Sequence, residues 1–270
     1  MIHICLLLAF QIHNYGPSSA AEKLKFPTSQ NLGEAILAGC WPRTQELLEK
    51  MKQEKRLPGP HLIVSLCEYS GSSQRYANIL TGIRILRDYG VDVKSVSDEA
   101  LSTTIGQDEW GQVTERLIQY GANPNGRKVK VKGDLNDGAP ISASIEFNKT
   151  PIVTEILLKH GASPDVYHDF GGYNHLMANT HYTPLMTAAA ENRKEFIPVL
   201  LKYHAKVDLR CPEDGMTALH LAARWNNADI VRMLLKSKAN RRMRSKAGQT
   251  PLQVARKFKA KEAVKALESK

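Results

Sequence analysis

The sequence predicts an all-α fold, a solenoid built from stacked pairs of helices. Three observations lead to this prediction. A short motif that contains threonine recurs in the C-terminal half at a nearly constant interval. Small residues follow it, and large aliphatic residues at helical spacing come next. The composition, with 42% hydrophobic and 24% charged residues in a chain of 270, is that of a folded globular protein.

The recurring motif is clearest around residues 183, 217 and 250. It reads HYTPLMTAA at 181–189, GMTALHLAA at 215–223 and GQTPLQVA at 248–255, and its threonines are 34 and 33 residues apart. Threonine is favoured at helix N-caps, and proline suits the first helical turn. The motif resembles the ankyrin repeat, a unit of about 33 residues with a β-turn and two helices. The resemblance implies that His220, in the histidine position of the motif, has a structural role within the turn network.

The resemblance covers residues 31–270 in about seven units, inside a single predicted domain that spans residues 22–270. The units are predicted near residues 31–56, 60–94, 98–125, 134–165, 179–208, 212–240 and 245–270. The last three match the family pattern well, the fourth fairly and the first three weakly. The first and last units are interpreted as divergent caps, which a solenoid needs at its ends.

The first 21 residues do not fit the repeat. An apolar run from Ile4 to Phe10 is followed by small residues around Ala20 and Ala21, which suits a signal peptide, but the usual positive charge at the start is missing. The alternative is an apolar segment packed on the first unit. The location therefore stays open between the cytoplasm, as is usual for the family, and secretion. The apolar run is too short to form a stable membrane span.

A long insertion interrupts the repeat at residues 166–180. Pro140 and Pro184 are 44 residues apart, about eleven more than the ankyrin period allows. The insertion contains His168, Asp169 and His175, and His181 follows it. Histidines and a carboxylate can bind zinc, but these spacings match no known zinc pattern, so a polar glycine-rich loop without a metal is favoured.

The charge of the chain favours an acidic partner. The formal net charge is +10, with one basic cluster at residues 127–132 and a second at residues 236–246. The sequence contains no P-loop and no nucleophile elbow. The prediction is a non-catalytic protein-binding scaffold without a cofactor or metal, favoured to be monomeric, whose protein partner carries an acidic patch. The alternative is binding of nucleic acid or another polyanion through the basic C-terminal face.

The resemblance also implies which residues contact the partner, because ankyrin proteins bind through the turn tips and the exposed ends of their first helices. These positions correspond to Asn179, Tyr182, Glu191, Asp214, Met216, Arg224, Trp225 and Lys257. Arg224 and Trp225 are the most informative pair, since Arg and Trp are enriched at binding hot spots. The alternative for Trp225 is packing on a neighbouring helix end. Phe147 occupies a similar position, subject to a one-residue shift of the alignment.

Overall fold

The structure is a computed structural model that describes residues 29–68, 73–105, 108, 111–126, 139–169 and 181–269. Within these residues the helices follow one another in seven pairs. The pairs are α1 (Ser29–Leu37) and α2 (Trp41–Gln53), α3 (His61–Glu68) and α4 (Ser73–Asp88), α5 (Ser97–Thr104) and α6 (Gln112–Gln119), α7 (Pro140–Phe147) and α8 (Ile152–Lys159), α9 (Pro184–Ala190) and α10 (Phe196–Lys202), α11 (Ala218–Arg224) and α12 (Ala228–Lys236), and α13 (Pro251–Lys257) and α14 (Lys261–Glu268). A 3₁₀ turn, Lys94–Val96, precedes α5.

The helix pairs stack side by side in two layers. First helices pack on first helices, as α7 does on α9, α9 on α11 and α11 on α13. Second helices do the same in the series α4, α6, α8 and α10, and α12 packs on α14. Each pair therefore completes the core of its neighbours, which confirms the predicted all-α solenoid of the ankyrin type.

Local signals start the first helices at the expected places. Thr183 caps α9 by accepting a hydrogen bond from the N–H of Met186, and Thr250 caps α13 together with the side chain of Gln253. The alanines that follow are fully buried, as Ala188 is in α9. Because alanine has the smallest apolar side chain, neighbouring first helices can approach one another closely.

The weakly matching N-terminal pairs share the same continuous core. Leu32, Ile36, Ile63 and Ile83 are fully buried there. A Cβ added at Gly82 of α4 would lie 2.2 Å from the side chain of Ile36, so α1 and α4 are in close contact. The aliphatic spacing is thus sufficient to build these pairs although the threonine motif is absent.

The insertion begins and ends in a small antiparallel sheet. Strand β1 (His168–Asp169) pairs with strand β2 (His181–Tyr182), with His168 opposite Tyr182 and Asp169 opposite His181. Residues 1–21, residues 127–132 and most of the insertion, including His175 and Asn179, lie outside the described residues. No described helix has both the length and the apolar character needed to cross a bilayer.

Candidate functional site

Exposed aromatic residues recur at one position of the repeat. Counted from the first residue of α7, α9, α11 and α13, the eighth position holds Phe147, Glu191, Trp225 and Phe258, respectively. The exposed fractions of the three aromatic residues are 56%, 43% and 44%. The shared position removes the uncertainty in the alignment of Phe147. We call Phe147, Trp225 and Phe258 the aromatic row.

The turns that follow α9, α11 and α13 share one backbone conformation. Asn192, Asn226 and Lys259, each one residue beyond the eighth position, have left-handed φ angles of 58°, 59° and 55°. The side chain of Asn226 accepts a hydrogen bond from the N–H of Ala263, 2.9 Å away in α14. Because this bond connects two helix pairs, the end of α11 is fixed relative to the next pair.

Arg224 lies against two rings of the row. Its guanidinium carbon is 5.6 Å from the centre of the Trp225 ring and 4.7 Å from the centre of the Phe258 ring. The amine of Lys257 is 5.8 Å from the Phe258 ring. These are cation–π distances. The contact joins α11 to the end of α13, so the position of the arginine depends on two helix pairs. We call Arg224, Trp225, Lys257 and Phe258 the arginine stack.

The cations of the arginine stack differ from their exposed neighbours in their ionic partners. Arg256 pairs with Glu268, and Arg232 pairs with Asp229. Among the described residues neither Arg224 nor Lys257 forms an ion pair with a carboxylate. The stack therefore presents two positive charges beside exposed rings.

An acidic environment lies at the earlier end of the row. Burial, together with the nearby charge of Glu191, raises the pKa of Glu146 to about 7, although Arg193 acts in the opposite direction. Burial also raises the pKa of Glu191, again against Arg193. Arg193 lies 3.5 Å from the Glu191 carboxylate and donates a hydrogen bond to the backbone carbonyl of Glu146 at 2.6 Å. The row thus passes from two half-buried carboxyl groups to two cations.

Two buried histidines connect neighbouring helix pairs. Nδ1 of His220 accepts from the backbone N–H of Thr217 at 3.2 Å, and its Nε2–H donates to the carbonyl of Gln249 at 3.0 Å. His220 therefore has the structural role that the resemblance implies. His168 lies between hydroxyl groups, with Nδ1 2.7 Å from Ser142 and Nε2 3.2 Å from Thr187.

The environment of His168 also favours the neutral form of its ring. Burial lowers the pKa of His168 to about 4, and the nearby His181 acts in the same direction. Both of its ring nitrogens are engaged by Ser142 and Thr187, so this residue is a tie between α7 and α9 rather than an available metal ligand. Within the described part of the chain, no group of three His, Cys, Asp or Glu side chains is placed to hold a metal ion.

The turn tips differ from the expectation at two positions. Tyr182 was expected to be exposed, but this is wrong: its exposed fraction is 0%, because β2 is paired with β1 at this residue. The predicted exposure of Met216 is also wrong, because its exposed fraction is only 9%. Its carbonyl accepts the N–H of Cys211 at 2.7 Å, so the turn closes back on itself.

Of the other turn-tip predictions, Asp214 is partly exposed and Asn179 lies outside the described residues. The carboxylate of Asp214 accepts the N–H of Met216 at 2.8 Å, which uses it inside the turn. At the preceding tip, His181 donates its backbone N–H to Glu213 at 3.0 Å, and its ring also bonds that carboxylate. Because these groups are engaged in contacts within and between turns, the aromatic row is the more accessible surface.

Several residues of the C-terminal basic cluster hold the turns together. Arg244 donates to the carbonyl of Gly248 at 2.7 Å, and Lys246 donates to the carbonyl of Pro212 at 2.5 Å. Arg241 lies 3.4 Å from the carbonyls of Leu267 and Ser269. These side chains therefore satisfy backbone acceptors at the end of the solenoid.

The comparisons with known proteins agree with the architecture. A family model described as ankyrin repeats (3 copies) matches residues 185–270. An ankyrin repeat protein of fowlpox virus (strain NVSL) is 37% identical over 166 residues, which is 58% of this chain and 44% of that protein. Neurogenic locus notch homolog protein 1 of Xenopus tropicalis is 41% identical over 73 residues, 27% of this chain and 3% of that protein. The chain thus spans less than half the length of these relatives.

Proposed function

Because this chain belongs to the ankyrin-repeat family, we propose that it is a non-catalytic scaffold that binds a protein partner on the aromatic row and on the adjacent Arg224 and Lys257. Ankyrin repeats are generally protein-interaction modules. The observation that carries the proposal is the recurrence of exposed Phe147, Trp225 and Phe258 at one helix position. Exposed apolar side chains that are grouped on one surface mark interaction sites, and aromatic residues together with arginine dominate binding hot spots.

The charge of the C-terminal end favours a partner with an acidic face. Residues 212–269 contain thirteen Lys and Arg but only five Asp and Glu. A positive surface speeds the encounter with an acidic protein and disfavours basic ones. Glu191, which precedes this region, and Asp214, at its first turn tip, would disfavour acidic groups of the partner placed beside them.

Nucleic acid is the second candidate, since a polyanion would meet the same charge. The observation against it is that Arg241, Arg244 and Lys246 are used on backbone carbonyls. In addition, binding of single strands depends on a groove that tracks many phosphates, while the arginine stack offers only two unpaired cations.

The test compares partner capture by the whole chain and by a Trp225→Ala, Phe258→Ala double variant. We expect the double variant to lose the specific, saturable protein partner and to keep its thermal stability, because both side chains are substantially exposed. The control is Lys202→Ala on the second-helix layer, which removes a cation that lies 5.3 Å from the Tyr203 ring and pairs with Glu155. Equal capture by the double variant and the wild type would contradict the proposal. Capture that is abolished by nuclease would favour the second candidate.

A further inference from the structure

The arginine stack has the features of a receptor for carboxylate groups. Arginine binds a carboxylate through two parallel N–H groups, and the strength of this contact depends on holding the planar guanidinium in one orientation. Here the guanidinium of Arg224 is held by rings from two different helix pairs, at 5.6 and 4.7 Å. The rings contact the guanidinium through cation–π interactions, which leave its N–H groups free to donate hydrogen bonds to a ligand.

From this geometry we infer that the arginine stack recognises an acidic segment of the protein partner, in which a carboxylate binds Arg224 and an apolar or aromatic side chain packs beside Trp225. The inference rests on the proposed function and names the chemistry of the partner at that site. Its basis is charge complementarity: Arg224 and Lys257 lie against the exposed rings and form no ion pair among the described residues, while nearby Arg232 and Arg256 are already paired.

The acidic segment has a defined end along the row. Glu191 occupies the position in α9 that Trp225 occupies in α11, and it carries a carboxyl group where the later pairs carry aromatic rings. A carboxylate of the partner placed near Glu191 would meet a like charge, which is unfavourable at short range, although Arg193, 3.5 Å away, offsets part of that charge. The acidic part of the segment therefore lies over α11 and α13 and not over α9.

A phosphate-rich ligand fits the stack less well. Binding to nucleic acid gains its strength from many phosphate contacts and from the release of counterions. The stack offers only two unpaired cations, and the neighbouring Arg244 and Lys246 donate to carbonyls of the solenoid. A short acidic segment with one apolar anchor matches this number of charges and the exposed Trp225 ring.

The experiment uses the full chain and a random library of 12-residue peptides displayed on phage. Selected peptides are expected to be enriched in Asp and Glu and to carry an aromatic or aliphatic residue. A synthetic copy of the most enriched peptide is then measured by fluorescence anisotropy. Arg224→Lys should weaken its binding by about tenfold, since lysine keeps the charge but lacks the planar fork. Phe258→Leu should weaken it severalfold, because the guanidinium loses one of its supporting rings.

Two further variants make the inference specific. Glu191→Gln should strengthen binding by about twofold through the loss of repulsion, whereas Lys202→Ala, the cation–π control, should change nothing. Selected peptides without acidic enrichment, or equal binding by wild type and Arg224→Lys, would overturn the inference. So would weaker binding by Glu191→Gln, or a 12-nucleotide RNA that displaces the peptide at lower concentration. The two proposals can be told apart. If the Trp225→Ala, Phe258→Ala variant loses protein capture but the peptides show no acidic preference, only the acidic chemistry is refuted and the proposed function stands.

Discussion

Glu146 and His168 should each make folding stability depend strongly on pH, and in the wild-type protein their two effects should largely cancel. Nε2 of His168 is 3.8 Å from the Glu146 carboxyl group, and the histidine also faces Ser142, Thr187 and the ring of His181. Burial lowers the pKa of the histidine and raises the pKa of the glutamate. Both groups are therefore favoured in their neutral forms in the folded protein. Replacing Glu146 with glutamine, which is neutral at every pH, should uncover the effect of His168 alone.

The sign and size follow from linkage between protonation and folding. His168 has a pKa of about 4 when folded and an ordinary value of 6.5, so the unfolded chain takes up its proton first as the pH falls. Its contribution to stability is present above pH 6.5 and is lost between pH 6.5 and 4, for a total of about 3 kcal/mol. Glu146 has a pKa of about 7 when folded against 4.5, so its contribution is present below pH 4.5 and is lost as the pH rises to 7. Over nearly the same pH range, the contributions of His168 and Glu146 therefore change the free energy of unfolding in opposite directions.

The assay is urea unfolding of wild type and variants at pH 7 and pH 5. In wild type the contributions of these two groups should largely cancel, whereas Glu146→Gln should lose about 2 kcal/mol between pH 7 and pH 5 relative to wild type. His168→Gln should show the opposite change and gain stability relative to wild type as the pH falls. Other titrating groups, such as Glu191 and His220, are present in every variant, so they largely cancel in these differences. The matched control is Glu195→Gln, an exposed carboxylate near the start of α10.

The reasoning would be refuted if Glu146→Gln followed the wild-type pH dependence. That result would mean that His168 is accessible to protons in the folded state, and that burial between Ser142 and Thr187 does not control its ionisation. An NMR titration of the His168 ring should give the same answer directly, with a midpoint well below the ordinary value for histidine.

Three further substitutions test the packing between helix pairs. His204 has a left-handed φ of 65° at a position where three other pairs carry glycine, so His204→Gly should stabilise by about 1 kcal/mol and raise Tm by about 2–4 °C; an unchanged or lower Tm in a thermal melt would count against this strain. His220→Ala removes the bond to the Gln249 carbonyl and should cost about 2–4 kcal/mol in urea unfolding, since it also leaves a cavity and a buried acceptor without its donor. Asn227→Ala removes the hydrogen bond from Asn227 to the Ala189 carbonyl, 2.9 Å, and should cost about 1–2 kcal/mol, with a cost below about 0.3 kcal/mol showing that this tie is replaced by water.

Much of the candidate site follows from local sequence. The eighth residue of each first helix can be counted from the start of the helix, and the start is marked by signals such as the threonine and proline of residues 183–184 and 250–251. At Trp225 and Phe258 the side chain is exposed because the helix ends there and the chain turns away through a left-handed residue, Asn226 or Lys259. Phe147 is exposed at the end of α7, where the following residue has extended backbone instead. This is why Trp225 could be assigned from the sequence, and why the structure also settles the position of Phe147.

The failures at Tyr182 and Met216 have a different cause. Their positions along the repeat are those of surface turn tips, but exposure also depends on what a neighbouring segment covers. Tyr182 is buried because it pairs with His168, which arrives from the other side of the insertion. Periodicity of the chain carries no information about where an insertion folds back, and so no signal in the sequence alone could have predicted that contact.

The sequence by itself thus determined the helical pairs, their order and the helix ends that carry the aromatic row, because capping and aliphatic spacing act within a few residues. Only the tertiary structure decided which of these groups act together. Arg224 and Phe258 are 34 positions apart, and His168 meets Ser142 and Thr187 from other helices. Such contacts form when one helix pair stacks on the next, and that stacking sets the orientation of Arg224 and the burial of His168.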